Sequence, residues 1–102
     1  MSTPLTLRTG LHSDGRPMLI VQGEIDMSNL AAFDDALAAT LSEATSIVVD
    51  LSGVDYLDSG AINALFAHAE RLHLICNPLL VSALRISGLT ELATVEPLGT
   101  GS

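Results

Sequence analysis

Apolar residues recur along this chain with two different periods. Residues 5–11 alternate weakly, which predicts an edge strand. A dense turn signal follows in Ser13-Asp14-Gly15-Arg16-Pro17, because Gly supplies positive φ and Asp bonds nearby backbone amides. Met18-Leu19-Ile20-Val21 is continuously apolar and reads as a strand covered on both faces or nearly so. Strand, turn and strand make an antiparallel hairpin. Leu30, Phe33, Leu37 and Leu41 then recur at helical spacing, with Asp34 and Asp35 on other faces. This predicts a helix over residues 29–41 with Ser28 as its N-cap.

Ile47-Val48-Val49-Asp50-Leu51 is β-branched and apolar, which suits a central strand. Residues 52–57 read as a loop. A second helix is expected over residues 59–72, with Ile62, Leu65, Phe66, Ala69 and Leu72 inward and Asn63, Ala67 and Arg71 turned away. Residues 78–82 read as another strand. Residues 84–86 read as a short helix stopped by Gly88, and residues 90–93 as a further helical turn. Residues 97–102 are expected to fray. The order is β-β-α-β-α-β-α, an α/β fold: one small mixed sheet of about four strands with helices packed on it. Strands joined through helices run parallel by right-handed crossovers.

Length and composition narrow the classes. The chain has 102 residues, of which 48% are hydrophobic, enough for one core and too few for two lobes around a cleft. Disorder along the whole chain is excluded. Twelve acidic residues stand against four Arg and no Lys, for a net charge of −8. No two Arg lie close in sequence, so the basic stripe of a nucleic-acid binder is missing. Attachment to anionic lipid is disfavoured for the same reason. A protein partner with a basic docking face is favoured instead. Cys76 stands alone, so neither an internal disulfide nor a cysteine-based metal site is expected. No signal peptide or membrane span is read, and the expected setting is cytoplasmic. No cofactor is expected, and a monomer is the expected state.

Chemistry concentrates in Asp55-Tyr56-Leu57-Asp58-Ser59-Gly60-Ala61-Ile62, where a strand has ended and a helix begins. Helix N-termini present free amides and partial positive charge, so a hydroxyl there is well placed to carry a phosphate. If the strand before Glu24-Ile25-Asp26 runs parallel to residues 47–51, both loops share one sheet edge. Asp26, Asp55, Asp58 and Ser59 then become neighbours, with Gly60 and Asn63 lining the same site. A plainer reading stands beside this one: Asp58 as an N-cap, Ser59 as a tolerable first-turn residue, Gly60 as a close-packing position. Paired carboxylates also suit metal binding or acid/base work. No His or Cys joins them in sequence and no phosphate-cradling glycine loop is present, so an enzyme is not expected. His12 is placed in the first strand or turn and in solvent, His68 on the flank of the second helix, and His73 near that helix's end.

The order of elements together with four strings resembles the STAS domain and is similar to bacterial anti-sigma factor antagonists. The strings are Gly23-Glu24-Ile25-Asp26, Ile47-Val48-Val49-Asp50-Leu51, Tyr56-Leu57-Asp58-Ser59 and Ser87-Gly88-Leu89. The resemblance covers nearly the whole chain and implies a single STAS-like domain over residues 1–102. It implies a switch: an anti-sigma factor that is also a protein kinase phosphorylates the Ser after the Asp. Unphosphorylated antagonist binds that factor and frees the sigma factor. Phosphorylated antagonist lets go, and a phosphatase resets it. Ser59 corresponds to the phosphorylated Ser, Asp58 to the preceding Asp, and Asp26 to the acidic residue of the first loop. One departure is Gly60-Ala61, where the family commonly has Ser or Thr and then Gly; another is a short stretch between Val81 and Gly88. STAS-like domains also serve as soluble subunits of lipid-transport ATPase complexes, which is the alternative role.

Overall fold

The computed structural model describes residues 4–97. The described residues form β1 (Thr6–Leu11), β2 (Pro17–Ile25), α1 (Leu30–Leu41), β3 (Ile47–Leu57) and α2 (Ser59–Phe66). A 3-10 turn (Ala69–Arg71), β4 (Leu72–Cys76), α3 (Pro78–Ile86), α4 (Leu89–Leu92) and β5 (Thr94–Pro97) complete them. The five strands lie in the order β1-β2-β3-β4-β5, so every strand neighbours its predecessor in sequence. β1 and β2 pair antiparallel as the hairpin, and β2, β3, β4 and β5 pair parallel. Gly15 closes the hairpin at φ 91°.

The sheet therefore has five strands where the sequence predicted about four, and two elements change type. Residues 78–82 are helix, not strand. Pro78 sits in the first turn, where its missing N–H and fixed φ cost nothing, and Asn77 Oδ1 accepts from Leu79 N at 3.0 Å as the cap. The run Leu79-Leu80-Val81 hid this, because a short apolar run fits either element. The predicted second helix is also cut short. It ends at Phe66, and Leu72–Cys76 is a strand with Leu72, Leu74 and Cys76 buried and His73 and Ile75 half-buried. No Gly or Pro separates the two elements, and Leu72 continues the helical period by coincidence. β3 runs on through residues 52–57, which are strand, not loop. Pro97 closes β5 instead of opening a tail; the remainder of that expected tail, residues 98–102, lies outside the described residues.

One core holds the layers together. Leu19, Val21, Ile47, Val49, Leu51, Leu74 and Cys76 from the strands meet Phe33 and Leu37 of α1, Ala61 and Leu65 of α2, Leu80 and Leu84 of α3, and Leu89 of α4. All four helices bury their apolar side chains in that cluster. Met18 and Ile20 point to the other face and are only half-buried, so β2 is covered by helices on one face, not two. Arg71 fastens the layers at the far end: its guanidinium donates to the carbonyls of Leu41 (2.6 Å), the last residue of α1, and of Ala44 (2.8 Å) and Thr45 (3.1 Å) just beyond it.

Candidate functional site

Parallel pairing of β2 with β3 carries both strands out at the same edge. Ile25 is in register with Leu57, and Asp58 N donates to Ile25 O at 3.1 Å. The turn after β2 and the start of α2 are thus tied by a backbone hydrogen bond, as the shared-edge reading requires. β3 reaches this edge through a bulge. Val54 pairs with Gly23 and Tyr56 with Glu24, which leaves Asp55 as the extra, exposed residue.

Asp58 caps α2, its Oδ1 accepting from Ala61 N at 2.9 Å. Ser59 is the first helical residue and is exposed, and among the described residues its hydroxyl has no hydrogen-bond partner. The first-turn amides beside it lack partners within the helix. Gly60 lets α1 approach: a Cβ there would stand 2.7 Å from Leu30 Cδ2. Asn63 follows Ser59 by one turn, on the same face of α2, and is exposed.

Asp26 organises its own turn. Its Oδ1 accepts from Ser28 N (2.9 Å) and Ser28 Oγ (2.5 Å). These bonds, the hydroxyl's first, hold the Asp26 carboxyl below the usual carboxylate range. Asn29 Oδ1 accepts from Asp26 N at 3.0 Å, and Asn29 Nδ2 donates to Glu24 O at 2.9 Å. The N-cap of α1 is therefore Asn29 and not Ser28, whose hydroxyl is held by Asp26. Asp26, Asp58, Ser59, Gly60 and Asn63 are brought to one edge. Asp55 stands further back, opposite the Gly23–Glu24 step of β2, with no hydrogen bond to Ser59.

Beside Gly60 and Asn63 stand five residues that the sequence pattern did not place at the site: Met27, Leu30, Ala31, Asp34 and Ala64. Met27, Leu30, Ala31, Asp34, Gly60, Asn63 and Ala64 line a hollow of about 530 Å³ between α1 and α2. The signal was present as i, i+3, i+4 spacing on both helices, but Met27 sits in a turn and Ala31 and Ala64 are too small to mark a face. None of the lining residues is His or Cys. Among the described residues, no group of three His, Cys, Asp or Glu could hold a metal ion.

The three histidines lie elsewhere. His73 is in β4, not at a helix end. Its Nδ1 accepts from an Arg16 N–H at 2.9 Å, which makes Nε2 the protonated nitrogen that donates to Glu96 at 3.1 Å. His12 is half-buried, not solvated, and its ring lies edge-on to His73 at 5.9 Å. His68 precedes the 3-10 turn.

Comparison with known proteins places this geometry. Residues 11–96 match a family model described as Mlab, STAS domain. Over 75 residues the chain is 33% identical to the anti-sigma-F factor antagonist RsfB of Mycobacterium tuberculosis, across 71% of this chain. The match spans 61% of that relative's length. An anti-sigma factor antagonist from Mycobacterium paratuberculosis superposes with a TM-score of 0.84 at 27% identity, over 97% of this chain and 92% of that one. The anti-sigma factor antagonist SpoIIAA in its unphosphorylated form gives 0.71 at 11% identity, over 93% and 90%, a likeness of fold. Among the described residues, no helix is long and apolar enough to cross a membrane.

Proposed function

The chain belongs to the STAS domain family, and from that premise we propose that it is an anti-sigma factor antagonist switched by phosphorylation at Ser59. The partner is an anti-sigma factor with protein kinase activity, and a phosphatase restores the free hydroxyl. The observation that carries this reading is the exposed, unbonded Ser59 hydroxyl at the start of α2, beside the Asp26 turn. Ser59 Oγ takes the γ-phosphoryl group of ATP, ADP departs, and the hydroxyl proton passes to a base of the kinase.

Electrostatics alone supply a switch. The phosphate adds about −1.5 to −2 charges at pH 7. The start of α2 favours it by about 0.3–1 kcal/mol, while the Asp58 and Asp26 carboxylates oppose it. The free domain should refold little. The effect falls on the interface, where like charges facing one another cost several kcal/mol, and each 1.4 kcal/mol is about tenfold in affinity. Asp26, Asp55, Asp58, Gly60 and Asn63 form the contact surface in this reading.

The test is incubation of the intact protein with its cognate kinase and ATP, read by mass spectrometry. Gain of one phosphate at Ser59, abolished in Ser59→Ala while that variant still binds the kinase, supports the switch. Ser59→Glu should weaken binding by about tenfold or more. No phosphate at Ser59 in the wild type defeats it. A second reading, a soluble STAS subunit of a lipid-transport ATPase complex, is favoured by Gly60-Ala61 where the family commonly has a second hydroxyl. It uses the same surface without phosphorylation, and co-purification of an ATPase and a permease with no anti-sigma factor decides for it.

A further inference from the structure

We infer that the hollow between α1 and α2 is the seat of a basic amphipathic helix of the partner protein, which sinks an apolar side chain between Met27, Leu30, Ala31 and Ala64 and sets Arg or Lys against Asp34. The inference deepens the reading of this edge as a protein-contact surface and adds the chemistry of what docks there. Shape comes first. The hollow measures about 530 Å³, and its walls are largely the small or apolar residues Ala31, Ala64, Gly60, Leu30 and Met27. Met27 is 88% exposed at its rim, an apolar side chain with nothing over it, next to a cavity that could receive a neighbour. Gly60 carries no side chain to fill the hollow, and a Cβ there would stand 2.7 Å from Leu30 Cδ2. Two helices flanking a shallow apolar trough offer the geometry that a third helix fills with side chains one turn apart.

Charge selects the partner. Asp34 is part of the lining, Asp35 is exposed beside it on α1, and Asp58 caps the adjoining end of α2. The four Arg of the chain lie at positions 8, 16, 71 and 85, all outside α1, α2 and the turn holding Met27. The trough is therefore acidic at its rim with no cation of its own. A second copy of this chain, which has no Lys and a net charge of −8, is a poor match. A lipid surface with anionic headgroups is poorer.

The test needs no kinase, so its outcome is separate from that of the Ser59 switch. The full chain is titrated with a synthetic helical peptide of about five turns carrying a Leu stripe flanked by Arg. One control keeps the stripe and replaces Arg with Glu. Another keeps the composition and scatters the Leu residues around the helix. The expected result is chemical-shift change at the methyl groups of Met27, Leu30, Ala31 and Ala64, with affinity about tenfold above both controls. Asp34→Arg should remove that preference, and Ser59→Ala should keep it. Equal binding of the scattered peptide, shifts centred on other residues, or concentration-dependent broadening of the same methyls without peptide (a second copy in the trough) overturns the inference.

Discussion

Among the described glycines, Gly23 has the least room for a side chain. Its φ is +103°, and a Cβ there would lie 2.2 Å from the carbonyl oxygen of Pro4. Neither term can relax cheaply, since the obstacle is backbone and the φ is one that side chains rarely adopt. Gly23→Ala should lower unfolding free energy by more than about 2 kcal/mol in urea denaturation. Gly60 differs: its obstacle is the far end of a Leu side chain, which can turn aside. Titrating groups shape the pH profile. Arg16 holds the Asp14 carboxyl at about 2 through a hydrogen bond to its side chain, and Ser28 holds that of Asp26 below its usual 3.8. Both are depressed in the fold, so their stabilisation is complete above the unfolded value of 3.8 and is lost as pH falls below it, for Asp14 toward about 2. Burial, with the Asp50 carboxylate as a second cause, pushes the Cys76 thiol up to about 12. Its contribution is complete below 9.0 and is lost as pH rises toward 12. Denaturation midpoints measured across pH should fall on both sides of a neutral plateau, and Cys76→Val should flatten the alkaline limb.

At the scale of elements, α2 begins where it does because Asp58 supplies an acceptor to Ala61 N and its own N–H binds the end of β2. Asp58→Ala should cost about 0.5–2 kcal/mol by denaturation, and Asp58→Asn much less, since an amide oxygen caps nearly as well. The plainer reading of Asp58 as a cap is thus compatible with the switch: the cap is what holds Ser59 at the mouth of the helix. The hairpin, α1, the first half of β3 and the start of α2 were legible in the sequence because turn residues, β-branched runs and i, i+4 spacing all agreed; residues 52–57 were not. Legibility failed between Phe66 and Val81, while the short helix stopped by Gly88 and the helical turn after it are present as α3 and α4. The 3-10 turn at Ala69–Arg71 is stabilised by its contacts with α1 and carries no Gly or Pro to announce it. At Asn77-Pro78 the helix start was written plainly in side chains, yet the following Leu-Leu-Val run outweighed it.

For the whole molecule, topology brings the two turns of the proposed site together. Parallel β2 and β3 end at one edge, and that edge lies at the opposite ends of the strands from the Arg16–His73–Glu96 cluster. The acidic edge was legible because it depends only on strand direction. The trough beside it was not, because it is made from two helices 30 residues apart in sequence, at Leu30 and Gly60, and nothing local reports their approach. In the proposed switch, phosphorylation of one hydroxyl governs docking. The most direct measurement is the affinity of the anti-sigma factor for this chain with Ser59 free and with phosphoserine installed at that position. A loss of about tenfold or more on phosphorylation is expected, with the fold unchanged by circular dichroism. Equal affinity for the two forms would contradict it.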